Sequence, residues 1–384
     1  MKILLRAPLL TTSGYGVHSR QVFEWLYEKG FDLDVECLNW GMTPWIVNGE
    51  HEEGLIKKIM NCSKKLSPPY DITFQLQLPD EWDPKLGKFN VGMSAIVETD
   101  TCNPKWIDAC NQMDHIIVPS NFTKNVLKRS GILLKPVSVI PEWFNQDIKI
   151  DNAKNKSLID LKTGFNFLII SQLNSQNPED DRKNIFNTIK WICEEFKDNK
   201  DVGIVLKTNL GRGTTIDKKM TKALLSQMIS SIGKKEFPKI YLIHGNMEKN
   251  EIAELYNHNL IKCAVSATRG EGFGLPLIDA AAAGIPVAAT NWSGHLDFLS
   301  DKFVKINYNL KEIRKEKADK RIFFEGFKWA EPDEKDFKIK ISEIYENYEK
   351  FKSNADILKK DIHDNFSKNA IKKNYDNFLN SLRK

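Results

Sequence analysis

No apolar run in the 384-residue chain approaches the roughly 20 residues that a membrane-spanning helix needs. The opening MKILLRAPLL is too short for a secretory signal, and Arg6 and Pro8 interrupt it, so it reads as a first buried strand. Cysteine is sparse. Cys37, Cys62, Cys102, Cys110, Cys193 and Cys263 form no CxxC pair, which removes the common zinc and redox spacings and leaves reduced thiols acting as small buried hydrophobes. His18, His115, His244, His258, His295 and His363 show no metal-ligand spacing, so no structural zinc is expected. Charge of one sign is scarce too. The net charge of +5 and pI near 8.6 suit a protein that meets phosphates, nucleic acid or an anionic membrane, and select none of them. With 41% hydrophobic and 28% charged residues, the composition is that of an ordinary soluble globular protein. A cytoplasmic location follows, with peripheral contact to anionic membrane or nucleic acid left open; Lys311–Arg321 is the basic stretch that would make it.

What the chain does contain is an alternation of short apolar runs with helical patterns, the signature of α/β units around parallel sheets. A strand at Lys2–Ala7 leads through a loop to a helix at Val17–Glu28 that Gly30 stops, and Phe31–Leu38 is the next strand. Strands are expected at Ile72–Leu76, Asn90–Val97, His115–Val118 and Val137–Ile140. A second series covers Phe165–Ser171, Val202–Thr208, Ile240–His244, Cys263–Ser266 and Pro286–Ala289. The polar run QDIKIDNAKNKSLIDLKTG between them is the linker candidate. This gives an N-terminal Rossmann-like domain over 1–150, a second over 151–350, and C-terminal helices over 351–384 that cross back to the first. Ile339, Ile341, Ile344, Tyr345 and Tyr348, then Ile357, Leu358, Ile362 and Phe366, then Ile371, Tyr375, Phe378 and Leu379, recur at helical spacing and should face a core.

The segment Ser266 to Leu299 carries most information. An apolar run ends in a loop punctuated by Gly270, Gly272 and Gly274, which can approach a ligand closely. Pro276 stands where a helix should begin, Leu277–Ala283 is a strong helix former, and Gly284 ends it. Strand, glycine loop and helix start in sequence make a natural phosphate site, because the first amides of a helix are unpaired and its dipole is positive there. Glu271 lies in the loop and Asp279 in the first turn, and both can face a ligand over the helix end. A plain strand–loop–helix unit with an acidic cap would show the same punctuation.

EGFGLPLID followed by AAAAGIPVAAT resembles the signature of family 4 glycosyltransferases, retaining enzymes of the GT-B fold. The likeness extends to GNMEKNEIAELYNHNLIKCAVSAT with Gly245, Leu255 and Tyr256, to NWSGHLDFL with Ser293 and Gly294, and to FKWAEPD. It also takes in DHIIVPSNFTKNVL and VIPEWFN in the first half. It implies two Rossmann-like doubly wound parallel-sheet domains facing a central cleft, and a nucleoside-diphosphate sugar of UDP or GDP type as substrate. It implies that Glu271 contacts the donor sugar, that Asp279 (Glu in the commonest form) contacts the ribose, and that Gly272, Phe273, Gly274 and Leu275 line the sugar and diphosphate. Gln172 stands near the expected Arg, so Lys183 and Arg182 are the candidates for the basic position. Lys207, at the end of a strand, could meet a phosphate or Glu271. Gly14, Tyr15 and Gly16 open a helix after the first strand; Ser19 replaces the third glycine of a dinucleotide fingerprint, and the resemblance places this loop at the donor. Glu98, Thr99 and Asp100 stand where relatives carry a sugar-contacting His, and are assigned to the acceptor or sugar side. No cofactor is expected, nor a metal. The expected activity moves a hexose or similar sugar to a hydroxyl acceptor with retention. A transferase acting on a hydroxylated DNA base, a nucleotide-sugar epimerase and an inactive sugar-nucleotide-binding protein remain open.

Overall fold

The computed structural model describes residues 1–96, 98–149, 159–173, 175, 177–211, 213–232 and 238–382. The middle of the expected linker, 150–158, and Val97 at the end of one expected strand lie outside the described residues. The chain divides into two units, one of residues 1–143, 319–327 and 368–384, the other of 144–318 and 328–367.

The first unit is built on six strands: β1 (Lys2–Ala7), β2 (Asp32–Cys37), β3 (Tyr70–Leu76), β4 (Gly87–Met93), β5 (His115–Val118) and β6 (Val137–Val139). They pair in the order β2-β1-β3-β4-β5-β6, all parallel. Helices α1 (Gly14–Glu28), α2 (Leu55–Cys62), α3 (Pro104–Gln112) and α4 (Asn121–Ser130) connect them. Helix α1 starts three residues before the expected Val17 because Ser13 caps it, its Oγ accepting the Gly16 N–H at 3.0 Å. Strand β4 stops at Met93, short of the expected Val97. The Ser94 Oγ accepts the Ile96 N–H, and Ile96 turns left-handed at φ +54°, so the chain leaves the sheet.

The second unit repeats the plan with β7 (Phe165–Ile170), β8 (Val202–Thr208), β9 (Lys239–His244), β10 (Ile261–Ser266), β11 (Val287–Thr290) and β12 (Val304–Ile306). Their order is β12-β11-β10-β7-β8-β9, again all parallel. Its helices are α5 (Ile185–Glu195), α6 (Thr215–Ile232), α7 (Lys249–Tyr256), α8 (Leu275–Ala282) and α9 (Leu296–Leu299). An antiparallel pair, β13 (Tyr308–Glu312) with β14 (Lys328–Pro332), precedes α10 (Glu334–Glu346) and α11 (Tyr348–Asn365). Helix α12 (Lys368–Ser381) belongs to the first unit, where Tyr375 stacks on Trp25 with ring centroids 4.8 Å apart. Among the C-terminal stripe residues, Ile341, Ile344, Leu358, Ile362, Ile371 and Tyr375 are buried, but Ile339 and Ile357 face solvent. Four cysteines are buried as expected of small hydrophobes; Cys37 and Cys62 are only half-buried.

Candidate functional site

In the second unit the sheet is laid out from β7 to β9 on one side, then from β10 to β12 on the other. The crevice beyond the carboxyl ends of the strands at such a reversal is where open parallel sheets bind ligands. A shallow pocket opens there, walled by Ile170, Ser171, Ser266, Lys183, Glu271 and Pro276. Its floor is the start of α8. Gly274 caps that helix in a left-handed conformation, φ +108°, that a side chain would resist. Pro276 takes the second helical position, where its missing N–H costs nothing, and the Tyr256 hydroxyl donates to its carbonyl at 2.8 Å. The glycine loop is held from the other side by residues 293–294. The Ser293 Oγ accepts the Glu271 N–H at 2.9 Å, the Gly294 N–H donates to the Glu271 carbonyl at 2.9 Å, and a Cβ on Gly294 would fall 2.1 Å from the Gly272 carbonyl oxygen. A helix opening fixed in this way presents its first-turn amides and positive dipole to an anion.

The charges sit at its rim. Glu271 is 7% exposed, and both its oxygens lie 2.7 Å from Lys183 Nζ. Arg182 Nη1 is 3.6 Å from Glu271 Oε2 and donates to the Gly270 carbonyl at 2.5 Å. Burial alone would raise the Glu271 pKa; the attraction of Lys183 and Arg182 outweighs it and holds the carboxyl at about 2. The loop that carries both cations is anchored by Arg269, which is buried and grips Glu331 through Nε and Nη2 at 2.8 and 2.9 Å. Its Nη1 donates to the carbonyls of Pro178 and Asp181 at 2.8 and 2.6 Å. Asp181 in turn accepts the N–H groups of Lys183 and Ile185, setting the start of α5 just past the two cations.

Similarity to known proteins follows the same region. Residues 222–356 match the family Glycosyl transferases group 1. Across the whole chain, the sucrose-phosphate synthase of Thermosynechococcus elongatus shares the fold at TM-score 0.68 and 13% identity, covering 100% of this chain and 99% of its own. A glycosyltransferase from Rickettsia africae covers 100% of this chain and 98% of its own at TM-score 0.69 and 13% identity. Anabaena HepE, in a complex with UDP and glucose, covers 99% and 100% at TM-score 0.64 and 14% identity. No curated protein matches the sequence. At these identities the likeness is one of fold, and that fold is GT-B: two α/β units, each around a parallel six-stranded sheet.

Other expected residues fall variously on the GT-B frame. Asp279 lies in the second turn of α8, not the first, because the helix begins at Leu275. Its Oδ1 accepts the Asn145 N–H at 2.8 Å, and burial lifts its pKa to about 7 despite that bond. The Phe273 ring packs in the core against Phe298, 5.1 Å between centroids, so this residue can offer a ligand only its backbone. The pairing with Glu271 considered for Lys207 is made by Lys183 instead; Lys207 ends β8 opposite Ile170, with its pKa lowered by burial. Gln172 is exposed. In the first unit, Gly16 is required by the turn itself, since a Cβ there would lie 2.1 Å from the Thr11 carbonyl oxygen. Tyr15 stacks on Trp40 at 3.9 Å, and its hydroxyl meets Ser94 Oγ at 2.9 Å and accepts the Ala95 N–H. Thr99 is buried and donates to the Thr101 carbonyl at 2.7 Å, with Glu98 and Asp100 half-buried on either side.

Two site residues were not anticipated. One is Arg269, whose signal in the sequence is an Arg between Thr268 and Gly270 directly after an apolar strand. Ser171 follows β7 at the sheet reversal, and its Oγ is buried without a hydrogen-bond partner among the described residues. An orphaned hydroxyl in a pocket wall is a group awaiting a ligand or water.

Proposed function

We infer that this chain is a retaining, metal-independent glycosyltransferase of the family 4 type, moving a hexose or similar sugar from a nucleoside-diphosphate sugar to a hydroxyl acceptor. One observation carries the reading: Lys183, Arg182 and Glu271 converge at the rim of a pocket whose floor is the amide-rich start of α8. The diphosphate would occupy the helix opening, with Lys183, Arg182 and Lys207 as the cations that stabilise it on departure, in place of a metal. Among the described residues no group of three or more His, Cys, Asp or Glu side chains is placed to hold a metal ion. Glu271 then orients the sugar and Asp279 the ribose, while the backbone of Gly272, Phe273, Gly274 and Leu275 lines the phosphates. The bond from the anomeric carbon to the diphosphate breaks, and the acceptor oxygen bonds to that carbon on the same face. The acceptor proton passes to the leaving diphosphate, so no enzymic nucleophile is needed. UDP and glucose bound to the HepE fold support a donor of UDP or GDP type. For Gly14, Tyr15 and Gly16 as a donor-side loop, and for Glu98, Thr99 and Asp100 on the acceptor or sugar side, the support is the sequence resemblance.

The test is a thermal-shift and calorimetric screen against UDP-, GDP-, ADP- and TDP-sugars, followed by donor-hydrolysis and transfer assays. Binding to one nucleotide series is expected. Glu271→Gln should lower turnover by about 10²–10³-fold with the nucleotide still bound. Gln is preferred to Ala because it keeps the side chain's shape and an oxygen that can still accept from Lys183, although either variant takes the carboxylate's charge from the two half-buried cations. Absence of any nucleotide-sugar binding, or unchanged turnover in Glu271→Gln, sinks the reading.

A further inference from the structure

The connection from α4 to β6 in the first unit is unlike the rest of the surface. Ile132 and Leu134 are 81% and 74% exposed, among the most exposed large apolar side chains of the chain. They do not dangle. The Asn111 side chain on α3 donates to the Ile132 carbonyl at 2.9 Å and accepts the Leu134 N–H at 2.8 Å. One amide therefore fixes the loop on both sides of its tip and holds two aliphatic side chains in water, where an unconstrained loop would fold them back against the sheet. A feature that holds apolar groups outward implies an apolar phase to receive them.

The charge around the tip chooses that phase. No acidic residue occurs between Asp114 and Glu142, whereas Lys124, Lys128, Arg129 and Lys135 all fall in that interval. Lys128 and Arg129 form the last turn of α4 and are exposed. Two arginines of the stretch Lys311–Arg321 differ: Arg321 is bound by Asp80 and Glu81, and Arg314 lies within 4 Å of Glu179, Asp180 and Glu316. In that stretch, the basic segment most evident in the sequence, both arginines are thus held by acids of the same chain. No ion pair occupies Lys124, Lys128, Arg129 or Lys135 among the described residues. Exposed aliphatic side chains flanked along the chain by Lys128, Arg129 and Lys135 match an anionic lipid surface, where the apolar tip enters the headgroup boundary and the cations meet lipid phosphates. A second copy of this chain would bring the same positive charge to the same place and be repelled.

We propose that the α4–β6 loop, tipped by Ile132 and Leu134 and flanked by Lys128, Arg129 and Lys135, docks the protein peripherally on anionic membrane. The surface lies wholly in the first unit and does not depend on the nucleotide-sugar reading. The experiment uses the full chain, co-sedimented with phosphatidylcholine vesicles made with and without phosphatidylglycerol. Binding is expected only to the anionic vesicles, and it should weaken as salt is raised. Ile132→Ser/Leu134→Ser and Lys128→Gln/Arg129→Gln should each reduce it by about tenfold or more, with melting temperature and nucleotide binding unchanged. Failure to bind anionic vesicles overturns the proposal, as does binding that the Ile132/Leu134 variant leaves intact. A dimer in sedimentation equilibrium that this variant dissolves would assign the tip to a second copy instead. Duplex DNA binding lost in the Lys128/Arg129 variant, without vesicle binding, would assign the cations to nucleic acid.

Discussion

Asp279 shows how burial tunes a single side chain. Its carboxyl titrates near pH 7 against an ordinary value of 3.8, because burial disfavours the charged form more than the Asn145 amide favours it. Between those two values the folded protein keeps a proton that the unfolded chain has already lost. Stability therefore falls as pH rises through this window, and the loss is complete above about pH 7. Asp279→Asn removes the titration and keeps an oxygen for Asn145. Urea midpoints at pH 5 and pH 8 should show the variant gaining on the parent as pH rises; a difference independent of pH would refute the assignment. If the ionised carboxylate holds the ribose, the parent's nucleotide affinity should strengthen through the same interval and the variant's should not. None of this was visible in the sequence, where Asp279 read as a first-turn acid. One residue of helix start decides which turn it occupies, and punctuation by Gly274 and Pro276 does not resolve one residue. The exchange of Lys207 for Lys183 as the partner of Glu271 was hidden for a related reason. It depends on the path of the loop before α5, which Arg269 and Asp181 fix through contacts far apart in sequence.

At the scale of elements, the parallel strands were legible because each is a short, nearly continuous apolar run, as strands buried on both faces must be. Val202–Thr208 and His115–Val118 match their expected limits. The pair β13 and β14 was not, since Tyr308–Glu312 is mostly exposed and carries no apolar period to read. The glycine loop is where element geometry and chemistry meet. Gly294 lies against the Gly272 carbonyl so closely that any Cβ must displace backbone, whereas at Gly245 nothing lies within 4 Å and only the left-handed backbone resists a side chain. Gly294→Ala is expected to push the Glu271–Gly272 segment away from residues 293–294, lowering nucleotide affinity by about tenfold or more and destabilising the fold by about 1–3 kcal/mol. Gly245→Ala, as a control, should lose stability without a comparable loss of nucleotide binding. Calorimetry on the two variants separates the outcomes, and equal affinities would show that the 2.1 Å approach does not shape the site.

The whole molecule places its last helix with its first. Helix α12 follows α11 of the second unit in sequence, yet its Tyr375 stacks on Trp25 of α1 and its hydroxyl meets His18 Nε2 at 3.1 Å. Asp376 accepts the Trp25 indole N–H at 2.9 Å, and Lys372 pairs with Glu28 at 2.7 Å. Phe378 adds an edge contact to Phe74 of β3, in the middle of the first sheet. The alternation of apolar residues over 371–379 announced a buried face but could not say which sheet would receive it, because periodicity carries no address. Deleting residues from Lys368 onward strips Tyr375, Phe378 and Leu379 from this core, each contributing roughly 1.5–3 kcal/mol by burial. The damage should stay local. The second unit keeps its own sheet, α10 and α11, and the pocket at α8, so the truncated chain should still bind the nucleotide while the first unit loses protection in hydrogen exchange, beginning with α1. Transfer, which on the proposed function needs an acceptor held by the first unit, should fall much further than nucleotide binding. A truncated protein that exchanges α1 amides as slowly as the full chain would mean that this aromatic stack does not hold the first unit together.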